Sequence, residues 1–248
     1  MTGLSASNPL RVAVAGSRGR MGSMAVETIN AESDLKLVLE LTRQSVPADA
    51  LDREEVDVLL DLSLAATSRT IAPLAARRGI APVVGVSGWN ADDLACLREA
   101  CREGRVGGLV VPNFSLGAVQ QMRAAEELAA ILDGSTIHEI HHPAKQDMPS
   151  GTALNTAERM HRAALQRDPA AARPEITSER TEGVLARQVV TFESGGERIV
   201  LDHEVRDRAA YMPGVLLALR SVRHLAELQV GLEVALDSSL ARAREGLV

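Results

Sequence analysis

Aromatic side chains are scarce in this sequence. Two Phe, one Trp and one Tyr make up 2% of 248 residues, so the core must be built from aliphatic side chains. Cysteine is equally rare: Cys96 and Cys101 have a spacing that is typical of neither a zinc site nor a redox motif. We therefore expect two partly buried thiols on a helix, in a reducing, cytoplasmic setting.

Long apolar runs and strong positive charge are missing too. No run of about 18 apolar residues occurs, so no membrane span is expected, and the first residues lack the basic-then-apolar pattern of a signal peptide. A net charge of −6 without a Lys/Arg run argues against a general nucleic-acid binder. The length allows one large domain or two small ones with a sizeable core.

Strand-like and helix-like segments alternate strictly between residues 10 and 113. Aliphatic runs predict strands at 10–16, 35–41, 56–63, 81–88 and 106–113, and amphipathic segments predict helices at 19–32, 66–79 and 91–104. Gly79 is expected to end the second of these helices in the left-handed conformation. The alternation predicts an α/β fold with a doubly wound parallel sheet.

The rhythm changes after Asn113. The pattern predicts helices at 115–132, 152–166 and 213–227, a strand at 135–142, a polar loop at 167–183 and a β-hairpin at 184–205 around Ser-Gly-Gly. The last helix could return to the first domain. We therefore expect one domain made of 1–114 and 211–248, and a second α+β domain, 115–210, with a mixed or antiparallel sheet.

A glycine loop follows the first strand, in "VAVAGSRGRMG". Gly16 suits a tight turn, Gly19 allows a pyrophosphate to approach the backbone, and Gly22 allows close packing of helix on strand. The helix N-terminus would stabilise the phosphates. The position between strand and helix favours a dinucleotide site over a purely structural turn.

The residues near position 42 bear on which dinucleotide binds. A coenzyme without a 2′-phosphate is usually held by an acidic residue about 20 positions beyond the loop, where this chain has Thr42 and then Arg43. A hydroxyl and a guanidinium suit a phosphate better than a bare diol, and Arg18 and Arg20 add positive charge. NADPH is therefore expected, with NADH possible; the alternative is that these arginines are only solvated.

The stretch "EIHHPAKQDMPSGTAL", residues 139–154, combines two histidines with a lysine. His141 and His142 alternate faces at a strand end, and Lys145 brings a second cation close by. Beyond Pro149, the turn Ser150, Gly151 and Thr152 opens a helix whose N–H groups could approach a ligand. The cluster predicts a carboxylate or dicarboxylate site in which an imidazole donates a proton.

Two other interpretations of this cluster stay open. Adjacent histidines can belong to a metal site, but the stretch offers no well-spaced third ligand, and no metal is expected. Alternatively, the stretch is a capped helix with surface histidines.

Several stretches together resemble one family, the 4-hydroxy-tetrahydrodipicolinate reductases (dihydrodipicolinate reductases) of bacterial lysine and diaminopimelate synthesis. Residues 139–153 resemble its E-x-H-H-x-x-K-x-D-A-P-S-G-T-A motif. Similarity extends over nearly the whole chain, in order, through "GSRGRMG", "VVGVSGW", "VPNFSLGAV", "RTEGVLARQVVTF" and "YMPGVLLALR".

The resemblance implies a role for each matching position. His141 would donate the proton coupled to hydride transfer, Lys145 would be a second catalytic cation, and His142, Ser150, Gly151 and Thr152 would hold the substrate's carboxylates. With the residues identified above, the expected coenzyme-binding set is Gly16, Ser17, Arg18, Gly19, Arg20, Met21, Gly22, Thr42, Arg43, Gly85, Val86, Ser87, Val111, Pro112, Asn113 and Phe114.

The family pattern also implies a Rossmann-like dinucleotide-binding first domain and a second domain for substrate binding and oligomerisation. The expected activity is NAD(P)H-dependent reduction of a cyclic imine dicarboxylate to tetrahydrodipicolinate by a homotetramer, with hinges near 113–115 and 210–213. The alternatives are a paralogue acting on another cyclic imine or dehydroamino acid, and a non-catalytic dinucleotide sensor.

The chain departs from the family pattern at several positions. Thr42 stands where an acidic residue is common, which again disfavours NADH, and Met148 replaces Ala next to the presumed carboxylate site. The remaining departures are Val86, Trp89, Arg187 and Val189. None of them removes a predicted catalytic group.

Overall fold

The computed structural model describes residues 8–245. The chain divides into two compact units: unit 1 contains the residues up to Phe114 and from Tyr211 onward, and unit 2 is Ser115–Ala210.

The elements in chain order are β1 Leu10–Ala15, α1 Arg20–Ala31, β2 Leu35–Leu41, α2 Pro47–Arg53, β3 Val58–Asp61, α3 Ala65–Arg77, β4 Ala81–Val84, α4 Ala91–Gly104, β5 Gly108–Val110, α5 Leu116–Ala129, β6 Ser135–His141, α6 Gly151–Arg167, β7 Glu175–Arg180, β8 Ala186–Ser194, β9 Glu197–Val205, a 3-10 turn Arg208–Tyr211, α7 Met212–Val222, β10 Leu228–Val230 and α8 Glu233–Glu245.

Unit 1 contains a six-stranded sheet in the order β10-β5-β4-β3-β1-β2, with every pair parallel. Its central strands are mainly aliphatic because both faces are covered: Val12, Val14, Leu59, Leu60 and Val83 have no exposed surface. The chain moves from β1 outward to β2 and then back to β3 on the other side. Ligands of such sheets bind at this reversal, beyond the carboxyl ends of the strands.

Unit 2 contains a four-stranded sheet in the order β7-β6-β8-β9. The β6–β7 pair is parallel and the other two pairs are antiparallel. Helices α5 and α6 cover one face, where Met160 and Phe192 are buried in a shared core. The predicted fold class, a doubly wound parallel sheet plus a second unit with a mixed sheet, is confirmed.

The hairpin of unit 2 turns at Gly195 and Gly196, between β8 and β9. Both glycines have positive φ, 60° and 87°, as a two-residue turn that matches the strand twist requires. In unit 1, Gly79 follows α3 with φ 78° and donates its N–H to the carbonyl of Ala76 at 2.9 Å, as predicted for a helix end.

The structure corrects several element predictions. The segment 167–183 is not a loop throughout, because it contains β7. The inward positions of β7 are Ile176, Ser178 and Arg180, so the strand shows almost no apolar alternation. The short elements α2 and β10 and the C-terminal α8 were not predicted, and α7 ends at Val222 instead of reaching 227.

Two smaller expectations can be compared with the structure. Cys101 is buried, which raises the pKa of its thiol to about 11, but Cys96 is exposed instead of partly buried. Among residues 8–245, no helix has the length and apolar character to cross a membrane.

Candidate active site

The glycine loop of unit 1 leads directly from β1 into α1. Gly16 has φ +77° and its N–H donates to the carbonyl of Leu41 at 2.9 Å, which ties the ends of β1 and β2 together. A Cβ at Gly22 would lie 2.0 Å from the oxygen of Gly16, so only glycine permits this packing of helix on loop. A Cβ at Gly19 would meet only the oxygen of Gly16, at 3.2 Å.

A cavity of about 380 Å³ lies beyond the carboxyl ends of β1, β2 and β3. Five of the predicted coenzyme residues line it: Gly16, Arg18, Gly19, Thr42 and Arg43. The cavity combines an uncovered loop backbone, a helix that begins at Arg20 and two arginines, and these groups fit the pyrophosphate of a dinucleotide.

The strand-end residues after β2 determine the polarity of the cavity. The hydroxyl of Thr42 donates to Oε1 of Gln44 at 2.9 Å, and the N–H of Thr42 donates to Oγ of Ser45 at 3.0 Å. Arg43 is exposed. The lining residues, all within the described part of the chain, include no carboxylate. The cavity wall therefore offers a hydroxyl, an amide and guanidinium groups, which suit a phosphate.

The other predicted coenzyme residues occupy neighbouring positions of unit 1 and do not line this cavity. Ser17 is buried in the loop, and Arg20 and Met21 begin α1. Gly85 follows β4, where a Cβ would lie 2.4 Å from the ring of Phe114, so these two predicted residues are in contact. Val86, Ser87, Val111, Pro112 and Asn113 follow the ends of β4 and β5.

Asp61, at the end of β3, was not predicted. It has no exposed surface, and its Oδ1 accepts from the backbone N–H and the hydroxyl of Ser63 at 3.0 and 2.5 Å. Burial raises the pKa of Asp61, although the hydrogen bonds from Ser63 oppose the shift. An acidic residue inside an otherwise aliphatic strand, "VLLD", was the signal in the sequence.

In unit 2, β6 carries Glu139 and His141 on the same face. Glu139 has no exposed surface, and one of its oxygens accepts from Nδ1 of His141. Its other oxygen accepts from Nη1 of Arg180 at 3.0 Å. Neither Glu139 nor Arg180 was predicted as a site residue, although Glu139 opens the quoted motif two positions before His141.

The pKa of His141 lies below its ordinary value. Burial is the largest cause; the charges of Lys145 and Arg180 act in the same direction, and Glu139 opposes them. The side chain remains 14% exposed, enough for a ligand to reach it. The ring therefore combines partial burial with a carboxylate partner, as is common for groups that exchange protons.

The turn after β6 carries the predicted lysine. Its backbone N–H donates to the carbonyl of His142 at 3.0 Å, and Nζ of Lys145 forms an ion pair with both oxygens of Asp147 at 2.8 and 2.9 Å. His142 lies one position beyond β6 and is partly exposed, so the strand ends one residue before the predicted bound of 142.

Helix α6 begins at the predicted small-residue turn. Ser150 is the N-cap, and its hydroxyl accepts from the N–H of Ala153 at 3.2 Å. Gly151 is exposed, and a Cβ there would meet no atom within 4 Å. Thr152 is partly exposed on the same first turn. His141, the turn with Lys145 and the N-terminus of α6 thus follow one another in unit 2, and the charge of Lys145 acts on the imidazole of His141.

The chain is similar to known proteins over most of its length. Residues 10–114 match the family model described as dihydrodipicolinate reductase, N-terminus, and residues 117–236 match the C-terminus model. A 4-hydroxy-tetrahydrodipicolinate reductase of Lactococcus lactis subsp. cremoris is 37% identical over 256 residues, covering 93% of this chain and 98% of the relative. One from Coxiella burnetii is 36% identical over 234 residues, covering 90% and 98%.

A solved structure supports the same relationship. The dipicolinate-bound dihydrodipicolinate reductase of Paenisporosarcina sp. TG-14 superposes with a TM-score of 0.79 at 28% identity, covering 91% of this chain and 98% of that one. Both halves of the chain match the family models, and the relatives exceed one third identity over nearly their whole length. The chain belongs to the dihydrodipicolinate reductase family.

Proposed function

We propose that this chain catalyses the NAD(P)H-dependent reduction of 4-hydroxy-tetrahydrodipicolinate to tetrahydrodipicolinate, with His141 as the proton donor. The observation that carries the proposal is the segment 139–152, which contains an imidazole, an ammonium group and the N-terminus of α6 within one unit. The names of the relatives supply the substrate.

The reduction requires a hydride and a proton, which come from different sources. A bound nicotinamide coenzyme would supply a hydride, and the substrate's ring would take up a proton and lose its hydroxyl as water. His141 would supply the proton from Nε2, because its Nδ1 is bonded to Glu139. Lys145 and the N–H groups at Gly151 and Thr152 would neutralise the substrate's carboxylates.

The lowered pKa of His141 is compatible with this role. Without a ligand, burial and the neighbouring cations favour the neutral imidazole. A bound dicarboxylate would bring negative charge beside the ring and raise its pKa. The substrate itself would then help to protonate the donor.

The glycine loop of unit 1 would hold the coenzyme's pyrophosphate. For the finer preference we propose NADPH, because Arg18 and Arg43 line the cavity and no carboxylate does so among the described residues. Val86, Ser87 and the segment 111–114 would line the nicotinamide side.

Unit 2 would also mediate assembly into a homotetramer. Val200 is 44% exposed on β9, and strand alternation places it on the sheet face opposite the one that α5 and α6 cover. Light scattering on the purified chain would test the assembly state. The cytoplasmic location stays a prediction.

A turnover assay tests the proposed function. NADPH oxidation that depends on freshly generated 4-hydroxy-tetrahydrodipicolinate is the expected result. Oxidation with other cyclic imines but not with this substrate, or tight coenzyme binding without any turnover, would contradict it.

A further inference from the structure

A row of polar side chains crosses from β6 to β7 in unit 2. The two strands are parallel, and their register places Glu139 beside Ser178 and His141 beside Arg180. Positions two apart on a strand share a face, so these four side chains point to the same side of the sheet. On the other flank of His141, β8 presents the uncharged Ala186.

Glu139 is a buried charge whose two oxygens both have partners. Oε2 accepts from Nδ1 of His141, and Oε1 accepts from Nη1 of Arg180 at 3.0 Å. Burial alone would raise the pKa of Glu139, but Ser178, Arg180 and His141 together hold it below its ordinary value. The carboxyl is therefore ionised, and an ionised carboxylate can only accept hydrogen bonds.

This bond determines which nitrogen of His141 carries its permanent proton. Because Glu139 can only accept, Nδ1 must donate, and Nε2 is left to exchange a proton with a ligand. Without a fixed partner at Nδ1, a neutral imidazole can hold its proton on either nitrogen.

Arg180 extends the same network to the turn that carries Lys145. Its Nε donates to the carbonyl of Lys145 at 3.2 Å, and its Nη2 donates to the carbonyl of Asp147. The side chain of Arg180 is 12% exposed, so most of it is buried. The planar guanidinium of Arg180 thus contacts both the carboxylate of Glu139 and the backbone carbonyls of residues 145 and 147.

We propose that Glu139 is a positioning residue: it fixes the Nδ1–H tautomer of His141 and, through Arg180, connects that imidazole to the turn bearing Lys145. The role in turnover rests on the proposed function, whereas the tautomer itself does not.

Glu139→Gln tests the proposal directly. Nη1 of Arg180 must still meet an oxygen, so the new amide would turn its NH₂ group towards Nδ1 of His141. The neutral ring would then carry its proton on Nε2. In protein labelled with ¹⁵N-histidine, we expect the His141 resonances to change from the Nδ1–H pattern to the Nε2–H pattern. His141→Gln assigns them among the six histidines.

The pH profile of kcat/KM supplies a second readout. The charged groups facing His141 are Glu139, Lys145 and Arg180, and only Glu139 raises its pKa. A proton donor is active below its pKa, so removing Glu139 should shift the loss of activity to lower pH. We expect kcat/KM at neutral pH to fall between about 10-fold and about 10⁴-fold, the upper figure being the cost of a wrong tautomer in a serine-protease triad.

Glu179→Gln is the matched control. Glu179 directly precedes Arg180 in β7 and lies on the opposite, exposed face of the strand. Its carboxylate pairs with His138 at 3.3 Å and not with His141. The same loss of one negative charge should leave the tautomer of His141 and the pH profile unchanged. Glu139→Asp, which keeps the charge, should retain the Nδ1–H tautomer with partial activity.

Failure of the proposal and failure of the proposed function give different results. An Nε2–H tautomer in the unsubstituted protein would overturn the proposal even if Glu139→Gln did not fold. An unchanged tautomer and pH profile in folded Glu139→Gln, with His141→Gln inactive, would overturn the positioning role alone. Normal turnover in His141→Gln would instead remove the proposed proton donor.

Discussion

The candidate site of unit 1 depends on glycines, which have no side chain, whereas the candidate site of unit 2 depends on side chains that form hydrogen bonds with one another. In unit 1, Gly16 and Gly22 pack so closely that a Cβ would overlap the backbone, and Gly19 leaves the loop uncovered. In unit 2, Glu139, His141 and Arg180 form a shielded chain of charges and hydrogen bonds. A glycine loop that binds through its backbone suits a ligand that many enzymes share, whereas a specific reaction needs positioned side chains.

The largest effect is expected from replacing His141, the proposed proton donor of unit 2. We expect His141→Gln to lower kcat by about 10²- to 10⁴-fold, because general acid catalysis contributes about that much. Coenzyme affinity, measured by equilibrium titration, should be retained because the glycine loop lies in unit 1. A parallel loss of coenzyme affinity would contradict the assignment of coenzyme binding to unit 1 and of proton donation to unit 2.

A pair of glycine substitutions sharpens the comparison. In Gly19→Ala the new methyl group would stand 3.2 Å from the Gly16 oxygen, on the open side of the loop, so coenzyme affinity should fall by about 10-fold or more. In Gly151→Ala the methyl group meets no atom within 4 Å. We expect that variant to weaken dicarboxylate binding and to leave coenzyme affinity unchanged.

Both glycine variants should unfold near the temperature of the parent protein, because neither methyl group overlaps a neighbour severely. Gly22→Ala serves as the contrast, since its methyl group would lie 2.0 Å from the Gly16 oxygen. It should lower the unfolding temperature. Equal coenzyme affinity in Gly19→Ala and Gly151→Ala would contradict the assignment of coenzyme binding to the glycine loop.

Arg43→Ala tests the polarity of the unit 1 cavity. Arg43 lines the cavity and is exposed, so its removal should not disturb the fold. We expect NADPH affinity to fall by about 10-fold, because a phosphate loses a guanidinium partner. NADH affinity should be nearly unchanged, and equal losses for the two coenzymes would remove Arg43 from the phosphate site.

The smallest expected effect concerns the one buried acid of β3. Because burial raises the pKa of Asp61, the folded chain keeps its proton above the pH at which the unfolded chain loses it. Stability therefore falls as pH rises through this window. Asp61→Asn lacks that loss, and we expect its Tm to exceed the parent's by a few degrees at neutral pH.

The advantage of Asp61→Asn should shrink as pH is lowered towards about 4, the ordinary pKa of an aspartate. Scanning calorimetry between these limits provides the measurement. A Tm difference that does not change with pH would show that the carboxyl of Asp61 is not the cause.

The sequence allowed most of the sheet of unit 1 to be predicted because β1, β3 and β4 are almost entirely buried and mainly aliphatic, which leaves a clear pattern. Strand β7 was missed for the opposite reason. Two of its three inward positions, Ser178 and Arg180, face the carboxylate of Glu139 instead of an apolar core. A strand whose inner face is polar has no hydrophobic period to detect.

The candidate site divides in the same way. The glycine loop and the His-His-Lys stretch are local in sequence, so their spacing alone predicted a site at Gly16 and Gly19 and another at the two histidines and Lys145. The choice of His141 as the proton donor came from the family resemblance. The contact between Arg180 and Glu139 depends on strand pairing, because the two residues lie 41 positions apart in the sequence. The burial of Asp61 likewise follows from its place in the middle of the sheet.

The titration of His141 with and without a bound diacid tests the central claim most directly. By ¹⁵N NMR, the free protein should show a pKa of His141 below its ordinary value, because burial and the nearby cations disfavour the charged ring. Saturation with pyridine-2,6-dicarboxylate should raise that pKa, so that the ring stays protonated to higher pH. A pKa that does not move when the diacid binds would show that the dicarboxylate site is not beside His141.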